Sequence, residues 1–353
     1  MTSVALDRPG EVRGEDGFDV AAVDAWLQQH VDLEGAPDVK QFAGGASNLT
    51  FLLSYPGRDL ILRRPPGGQI PKSGHDMRRE FHVQQKLAAV YPYVPKMVAF
   101  CDDHAVIGGD FYVMERIRGV VLRDEPPAGF PLDPAGLTKL CANVVDRLAD
   151  LHAVDAEAAG LGDLGRGSGY VERQVSGWSK RYRAARTRNV PSFEKVIAWL
   201  EENKPPDAGT CVIHNDWRLD NLILDADDPS EIIAVLDWEM ATLGDPLMEL
   251  GAAMAYWVQA DDDRIHRSFR RQPTHLPGMY TREQFARRYS ENAGIAIDNW
   301  AFYEVFGLFR YAAIAQQIHY RLRHKETSNP AFKRFWLLVR YLHWRARRVM
   351  AGA

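Results

Sequence analysis

His214-Asn215-Asp216-Trp217-Arg218-Leu219-Asp220-Asn221 reads H-x-D-x-x-x-x-N, and the apolar run that follows, Ile233-Ala234-Val235-Leu236, ends in Asp237-Trp238-Glu239. Asp216 comes after the short apolar stretch Cys211-Val212-Ile213 and sits in a polar loop. Asn221 opens the next strand, and Asp237 closes another. Three oxygen-bearing side chains arriving from strand ends can meet at one point. Phosphoryl transfer asks for that set: one carboxylate to orient an attacking hydroxyl, and an amide plus a second carboxylate to hold Mg²⁺ on nucleotide phosphates. A solvated loop of turn-forming Asn and Asp is the plainer reading of H-x-D alone. The complete octet with its strand-terminal Asp outweighs it.

The bulk properties set the frame. A chain of 353 residues is long for one core and implies two lobes or domains. Hydrophobic residues at 46% and charged residues at 25% place it among ordinary soluble globular proteins. A formal net charge of −4 gives no sign of a nucleic-acid partner. No apolar run reaches the roughly 20 residues of a membrane helix. The polar stretch Met1 to Asp19 lacks the apolar centre of a secretory signal and reads as a loose arm. Cys101, Cys141 and Cys211 are odd in number, far apart and free of any C-x-x-C pair, so they read as core thiols of a cytoplasmic protein.

Working outward from the octet, periodicity predicts an α+β chain. Residues 1–37 form an arm and a helix over Asp19 to Val31. Residues 38–117 form a small β-rich unit. Its strands are Val39 to Phe42, Leu49 to Tyr55 and Leu60 to Arg63, the last after a Pro56-Gly57-Arg58-Asp59 turn. A helix over His75 to Ala89 and a hairpin from Val106 to Val113 through Gly108-Gly109 complete it. Residues 118–353 form a mainly helical unit. It has helices over Leu137 to Val154, Val171 to Arg188, Ser192 to Asn203, Pro246 to Trp257 and the long run Trp300 to Met350, with short strands carrying the polar motif. Asp133-Pro134 and Asp245-Pro246 read as helix caps.

On these residues the chain resembles the aminoglycoside phosphotransferase and choline kinase superfamily, which has the bilobal protein-kinase-like fold. Several strings are similar to the kinase-like domain associated with acyl-CoA dehydrogenases. They are Gly45-Ala46-Ser47-Asn48-Leu49-Thr50, Leu62-Arg63-Arg64-Pro65-Pro66-Gly67, Phe111-Tyr112-Val113-Met114-Glu115, Arg173-Gln174-Val175, and Trp238-Glu239-Met240-Ala241-Thr242-Leu243-Gly244-Asp245-Pro246. The resemblance implies that Asp216 is the catalytic carboxylate, that Asn221 and Asp237 hold Mg²⁺, and that ATP or GTP is the donor. It implies that His214 braces the loop. Two departures stand out. A shortened glycine turn with Ser47 and Asn48 replaces the usual phosphate loop. Arg63, on the same strand face as Ile61, stands where such kinases carry lysine. Glu80 is its implied partner, against a surface pairing with Arg78 or Arg79. Met114, Glu115 and Ile117 would form the hinge around adenine.

For the acceptor, Arg173, Lys180, Arg181, Arg183, Arg186 and Arg188 come with no intervening acid, and more arginines follow at Arg264, Arg267, Arg270, Arg271, Arg321 and Arg323. Singly each reads as a solvated helix face. As a group they favour an anionic small molecule, and the subgroup resemblance suggests a hydroxyacyl-CoA or hydroxy fatty acid, with a functional link to an acyl-CoA dehydrogenase. A kinase of cationic aminoglycosides or choline, and a pseudokinase that binds nucleotide without turnover, are the alternatives. A flavin enzyme finds no supporting organisation here.

Overall fold

The amide pairing of five short strands sets the position of everything else. The computed structural model of the chain describes residues 9–42, 48–66, 76–324 and 330–353. β1 (Asp38–Gln41), β2 (Leu49–Tyr55), β3 (Arg58–Arg64), β4 (Met97–Cys101) and β5 (Phe111–Glu115) make one antiparallel sheet in the order β1-β2-β3-β5-β4. Tyr55 pairs with Arg58 around Pro56-Gly57, and Gly57 takes φ +76. The turn is therefore a two-residue one, and β3 starts at Arg58 rather than at Leu60.

Alternation gives the sheet two faces. Phe51, Leu53, Leu60 and Leu62 pack with Val23 and Leu27 of α1 (Val20–Leu27). Leu52, Ile61, Tyr112 and Met114 pack with Met77 and Phe81 of α2 (Met77–Leu87). Asp19 and Asp76 cap these two helices by accepting from Ala22 N–H and Arg79 N–H. Arg64 faces away from Arg63 and lies over Phe18 and Phe51.

Two expectations for this lobe need correcting. The stretch from Val106 is not a hairpin arm. His104–Ile107 is a short helix, α3, capped by the Asp103 side chain and ended by Gly108 at φ +83. The glycines thus stop a helical turn, and β5 begins only at Phe111. Its partner is β4, which periodicity did not single out, with Cys101 opposite Phe111.

The second lobe is helical. α4 (Pro134–His152), α5 (Tyr170–Ala185), α6 (Glu194–Asn203), α7 (Pro246–Tyr256), α9 (Arg282–Ala293), α10 (Trp300–Arg323) and α11 (Phe335–Gly352) share one large apolar core, and the short α8 (Arg264–Ser268) stands outside it. The expected continuous run from Trp300 to Met350 is broken after Arg323. Pro330, which cannot donate a backbone bond, opens a 3-10 turn ahead of α11. Asp262 accepts from Arg282 at 2.7 and 2.9 Å and from Arg345 at 2.8 Å, which ties α11 to α9. Cys101, Cys141 and Cys211 are buried free thiols. No helix among the described residues is long and apolar enough to cross a membrane.

Two small ladders carry the polar loops. β6 (Cys211–Ile213) pairs with β9 (Thr242–Gly244), and β7 (Leu222–Leu224) pairs with β8 (Ile232–Val235). The chain leaving β5 crosses directly over β7, where Val120 and Leu224 exchange backbone bonds of 2.9 and 2.8 Å.

The helical lobe depends on one tight crossing. A methyl group at Gly307 of α10 would lie 2.1 Å from the Gly251 carbonyl oxygen on α7. Gly307→Ala must therefore force the helices apart, and we expect it to lower unfolding free energy in urea by about 1–3 kcal/mol. Wild-type stability in that variant would show that the crossing has room to relax.

Candidate active site

Three buried groups shape the loop of the octet. His214 follows β6 and is fully buried. Its Nε2–H donates to Leu236 O at 2.8 Å, and its Nδ1 accepts from Asp216 N–H at 3.2 Å. One neutral tautomer satisfies both bonds, so His214 braces the loop against the end of β8. Glu249, on α7, accepts from His214 N–H at 3.0 Å and from Asn215 N–H. It also accepts from His152 Nε2 at 2.8 Å, while the Tyr289 hydroxyl donates to His152 Nδ1 at 2.6 Å. Burial works to raise the Glu249 pKa, but His152 and His214 outweigh it and hold the carboxyl below its ordinary value.

Asn215 turns the chain with φ +67, a region open to few residues other than glycine. It is held from several sides. Tyr170 Oη donates to its side chain at 3.1 Å, its own amide donates to Met240 O at 3.1 Å, and Arg310 donates to its carbonyl at 2.7 Å. Asp245 caps α7 through Met248 N–H and accepts from Ala208 N–H, a structural role.

Asp216 lies just beyond this turn. Asn221 closes a 3-10 turn before β7, and its Nδ2 donates to both the carbonyl and Oδ2 of Asp216, each at 2.9 Å. Its amide oxygen is left for another partner. Asp237 follows β8 at φ +66, and Arg63 Nη2 bonds it at 2.9 Å. The other Nη of Arg63 lies 3.1 Å from Glu80. Burial opposes the Arg63 charge, yet Glu80 and Asp237 together keep its pKa above the ordinary arginine value. Asp237 is held down by Arg63 against the effect of burial, whereas burial pushes Glu80 up.

Ile61, Arg63, Met114, Glu115, Ile117, Asn221 and Asp237 line one cleft of about 180 Å³, together with Phe42, Gly119, Ile223 and Leu236. The remaining expected residues stand elsewhere. Glu80 is buried behind Arg63. Asn48 is buried too, and donates to Glu239 at 3.1 Å and Glu80 at 3.5 Å. The Glu115 carboxylate turns to Arg58 at 2.5 Å, so the cleft can meet it only through its other atoms. Ser47, with Gly44 to Ala46, lies outside the described residues. Asp216 sits beyond Asn221, in a tight recess with Arg218, Tyr256 and Arg310. Asn221 thus stands between the cleft and the carboxylate.

The donor set fits a hard divalent cation. Asn221 and Asp237 offer an amide oxygen and a carboxylate to the same cleft. Among the described residues no group of three or more His, Cys, Asp or Glu could hold a metal. Any cation here must therefore complete its shell with phosphate oxygens and water, the habit of Mg²⁺.

Three of the arginines expected on the acceptor side are spent locally. Arg173 donates to Gly167 O at 2.7 Å, Arg183 pairs with Glu194 at 2.7 Å, and Arg270 pairs with Glu125. Arg181 and Arg310 meet an aromatic ring, and Arg310 also bonds Asn215 O. Both guanidiniums lie over the Trp178 ring, at 4.4 and 5.5 Å. Among the described residues neither has an ion-pair partner. Arg310 was not among the arginines singled out in the sequence. It sits in the aromatic stretch of α10, and nothing local flags it. Glu249 went unnoticed for a similar reason, because its partners are backbone amides that lie 34 and 35 residues away along the chain.

Comparison with known proteins bears on the family and the fold. The model of the phosphotransferase enzyme family matches residues 38–285. The mouse protein acyl-CoA dehydrogenase family member 10 is 38% identical over 289 residues, covering 81% of this chain but 27% of its own length. The human acyl-CoA dehydrogenase family member 11 is 35% identical, covering 88% of this chain and 40% of its own. The chain therefore spans well under half of these curated relatives. A putative aminoglycoside phosphotransferase from Ralstonia eutropha JMP134 superimposes with a TM-score of 0.78 at 32% identity, over 94% of this chain and 99% of that one. A thermostable variant of aminoglycoside phosphotransferase APH(4)-Ia, in ternary complex with ADP and hygromycin B, shares the fold at a TM-score of 0.60 and 16% identity, over 94% and 99% of the two chains.

The buried Glu249 makes a measurable demand on pH. Its folded pKa lies below the unfolded one, so its stabilisation is complete above the unfolded value of about 4.3 and is lost as pH falls through the folded value. Glu249→Gln turns an amide toward backbone donors and should cost roughly 2–3 kcal/mol at neutral pH. In urea unfolding the gap between wild type and variant should narrow on acidification. A gap independent of pH would count against this role.

Proposed function

This chain belongs to the phosphotransferase enzyme family, and from that premise we propose that it is an ATP- and Mg²⁺-dependent kinase acting on a hydroxyl group of a small anionic molecule. One observation carries the reading: Asn221 bonds Asp216 through its amide nitrogen while lining, with Asp237 and Arg63, the cleft beneath Ile61 and Met114. A base, a metal pair and a phosphate clamp are thereby joined in one connected set.

In this mechanism Asp216 orients the acceptor hydroxyl and takes its proton. The hydroxyl oxygen attacks the γ-phosphorus, the bond from that phosphorus to its β-bridging oxygen breaks, and ADP leaves. Ile61 and Met114 flank adenine, and Met114, Glu115 and Ile117 provide the hinge. Arg63, charged and steadied by Glu80, donates to the α- and β-phosphates. Asn221 and Asp237 would hold Mg²⁺, which supplies charge neutralisation on the phosphates. Arg63 brings a forked guanidinium where a point charge is usual, so it can grip two oxygens at once.

On the acceptor side, Arg218 and Arg310 line the recess of Asp216, and Arg181 lies with Arg310 over the Trp178 ring. Such a surface favours a carboxylate or phosphate group and disfavours cationic aminoglycosides or choline. A hydroxyacyl-CoA or hydroxy fatty acid fits this charge. The acyl-CoA dehydrogenase names of the curated relatives are consistent with that chemistry.

Nucleotide consumption measured side by side on hydroxyacyl-CoAs, hydroxy acids, choline and aminoglycosides tests the proposal. We expect turnover with the anionic acceptors. Asp216→Asn should lower kcat by about 10²–10⁴-fold and leave nucleotide binding intact, whereas Asp237→Asn should weaken Mg²⁺-dependent nucleotide binding. Unchanged turnover in Asp216→Asn would sink the mechanism. Preference for choline or aminoglycosides would sink the acceptor class.

A further inference from the structure

Glu80 has a neighbour on α2 that reaches a different place. Successive helical residues turn by about 100°, so Glu80 meets Arg63 while Arg79 faces the catalytic lobe. The Arg79 guanidinium donates to the carbonyls of Glu239 at 3.2 Å, Leu164 at 3.4 Å and Ala241. Two of these carbonyls belong to the turn that starts directly after Asp237. Asn48 reaches the same turn by donating to the Glu239 carboxylate at 3.1 Å.

Asp237 holds φ +66, a conformation that a non-glycine residue keeps only when its surroundings impose it. On its N-terminal side His214 grips Leu236 O at 2.8 Å. On its C-terminal side the grip comes from Arg79, through Glu239 O and Ala241 O. The same helix carries Glu80, and Arg63 is bonded between Glu80 and Asp237. The separation of those two carboxylates is therefore set by how α2 is tied to the 239–241 turn.

We propose that Arg79 is a positioning residue for phosphate binding: by fastening α2 to the turn after Asp237, it presents Arg63 to the nucleotide in one geometry. This rests on the nucleotide-binding reading of the cleft. Arg79 touches no substrate atom in it and acts through Arg63. Arg79→Met keeps the apolar stem and removes the donors, and it leaves only carbonyls behind rather than an unpaired buried charge. Arg79→Lys keeps the charge but cannot span three acceptors in a planar fork.

The test measures Mg·ATP and adenosine binding by calorimetry in the wild type, Arg79→Met, Arg79→Lys, Arg63→Met and the Arg63→Met/Arg79→Met double variant, with melting curves to confirm folding. We expect Arg79→Met to weaken Mg·ATP by about tenfold or more and to leave adenosine binding as in wild type, because the Ile61–Met114 slot is untouched. Arg79→Lys should fall between. The double variant should bind Mg·ATP no more weakly than Arg63→Met alone, since one residue acts through the other. Equal losses for ATP and adenosine, additive losses in the double variant, or wild-type Mg·ATP affinity in Arg79→Met would each overturn the inference. If Arg79→Met does not fold, Arg79→Lys with wild-type Mg·ATP affinity overturns it equally. A wild-type protein that binds neither ligand would instead overturn the nucleotide reading itself, and the inference with it.

Discussion

One guanidinium, Arg63, lies between two carboxylates that arrive from opposite parts of the chain. Glu80 comes from α2 at 3.1 Å, and Asp237 from the end of β8 at 2.9 Å. The Arg63 side chain is 9% exposed and that of Glu80 is fully buried, so water does little to screen either charge. Glu80, buried, and Asp237, 31% exposed, repel unless a cation stands between them. Taking one member out of such a set costs about 3–5 kcal/mol, because it strands the others. The sheet, α2 and the β7–β8 ladder are thus bound into one electrostatic unit, and the cleft forms where they meet.

That unit needs a catalytic lobe with polar loops held at fixed points, which an apolar core alone does not supply. Of the three non-glycine residues in left-handed conformation among those described, Phe193 leads into α6, while Asn215 and Asp237 make the turns of the polar loops. Each such residue costs of order 1–3 kcal/mol unless its surroundings impose it. Here Glu249 collects the amides before Asp216, His214 spans from the octet to Leu236, and Arg310 holds the Asn215 carbonyl. Within these loops the strain falls at the two residues that flank or form the polar centre, and each is bonded on both sides.

The site divides at Asn221. On one side lie an apolar slot, Arg63 and Asp237; on the other lie Asp216 and a wall of arginine and aromatic rings. Arg181 and Arg310 both lie over the Trp178 ring, and Arg218 lies 5.2 Å from the Tyr256 ring while bonding Asp220 at 2.8 Å. Guanidiniums stacked on rings keep their charge and lose little freedom on meeting an anion. In α5, Arg173 and Arg183 are already engaged, whereas Arg181 has no ion-pair partner among the described residues.

The octet, the strand ending at Asp237 and the alternation that puts Ile61 with Arg63 were all legible from the order of residues, because each depends on neighbours a few positions apart. So were β2, at its observed limits, and the Asp-Pro helix starts at Asp133 and Asp245. β4 was not, since Met97 to Cys101 is a strand only through its pairing with β5, and the glycines at 108 and 109 suit a helix end as well as a hairpin. Asn48 looked like part of a phosphate turn, yet the fold buries it against Glu239, 191 residues away. Glu249, Arg79 and Arg310 gave no local signal because their partners, mostly backbone atoms, lie on distant segments. By itself, then, the sequence determined the family and the local elements, through side chains whose spacing is short. Only the tertiary structure decided which charges are paired and which stay free for a ligand, because pairing depends on distances across the fold that no local pattern encodes.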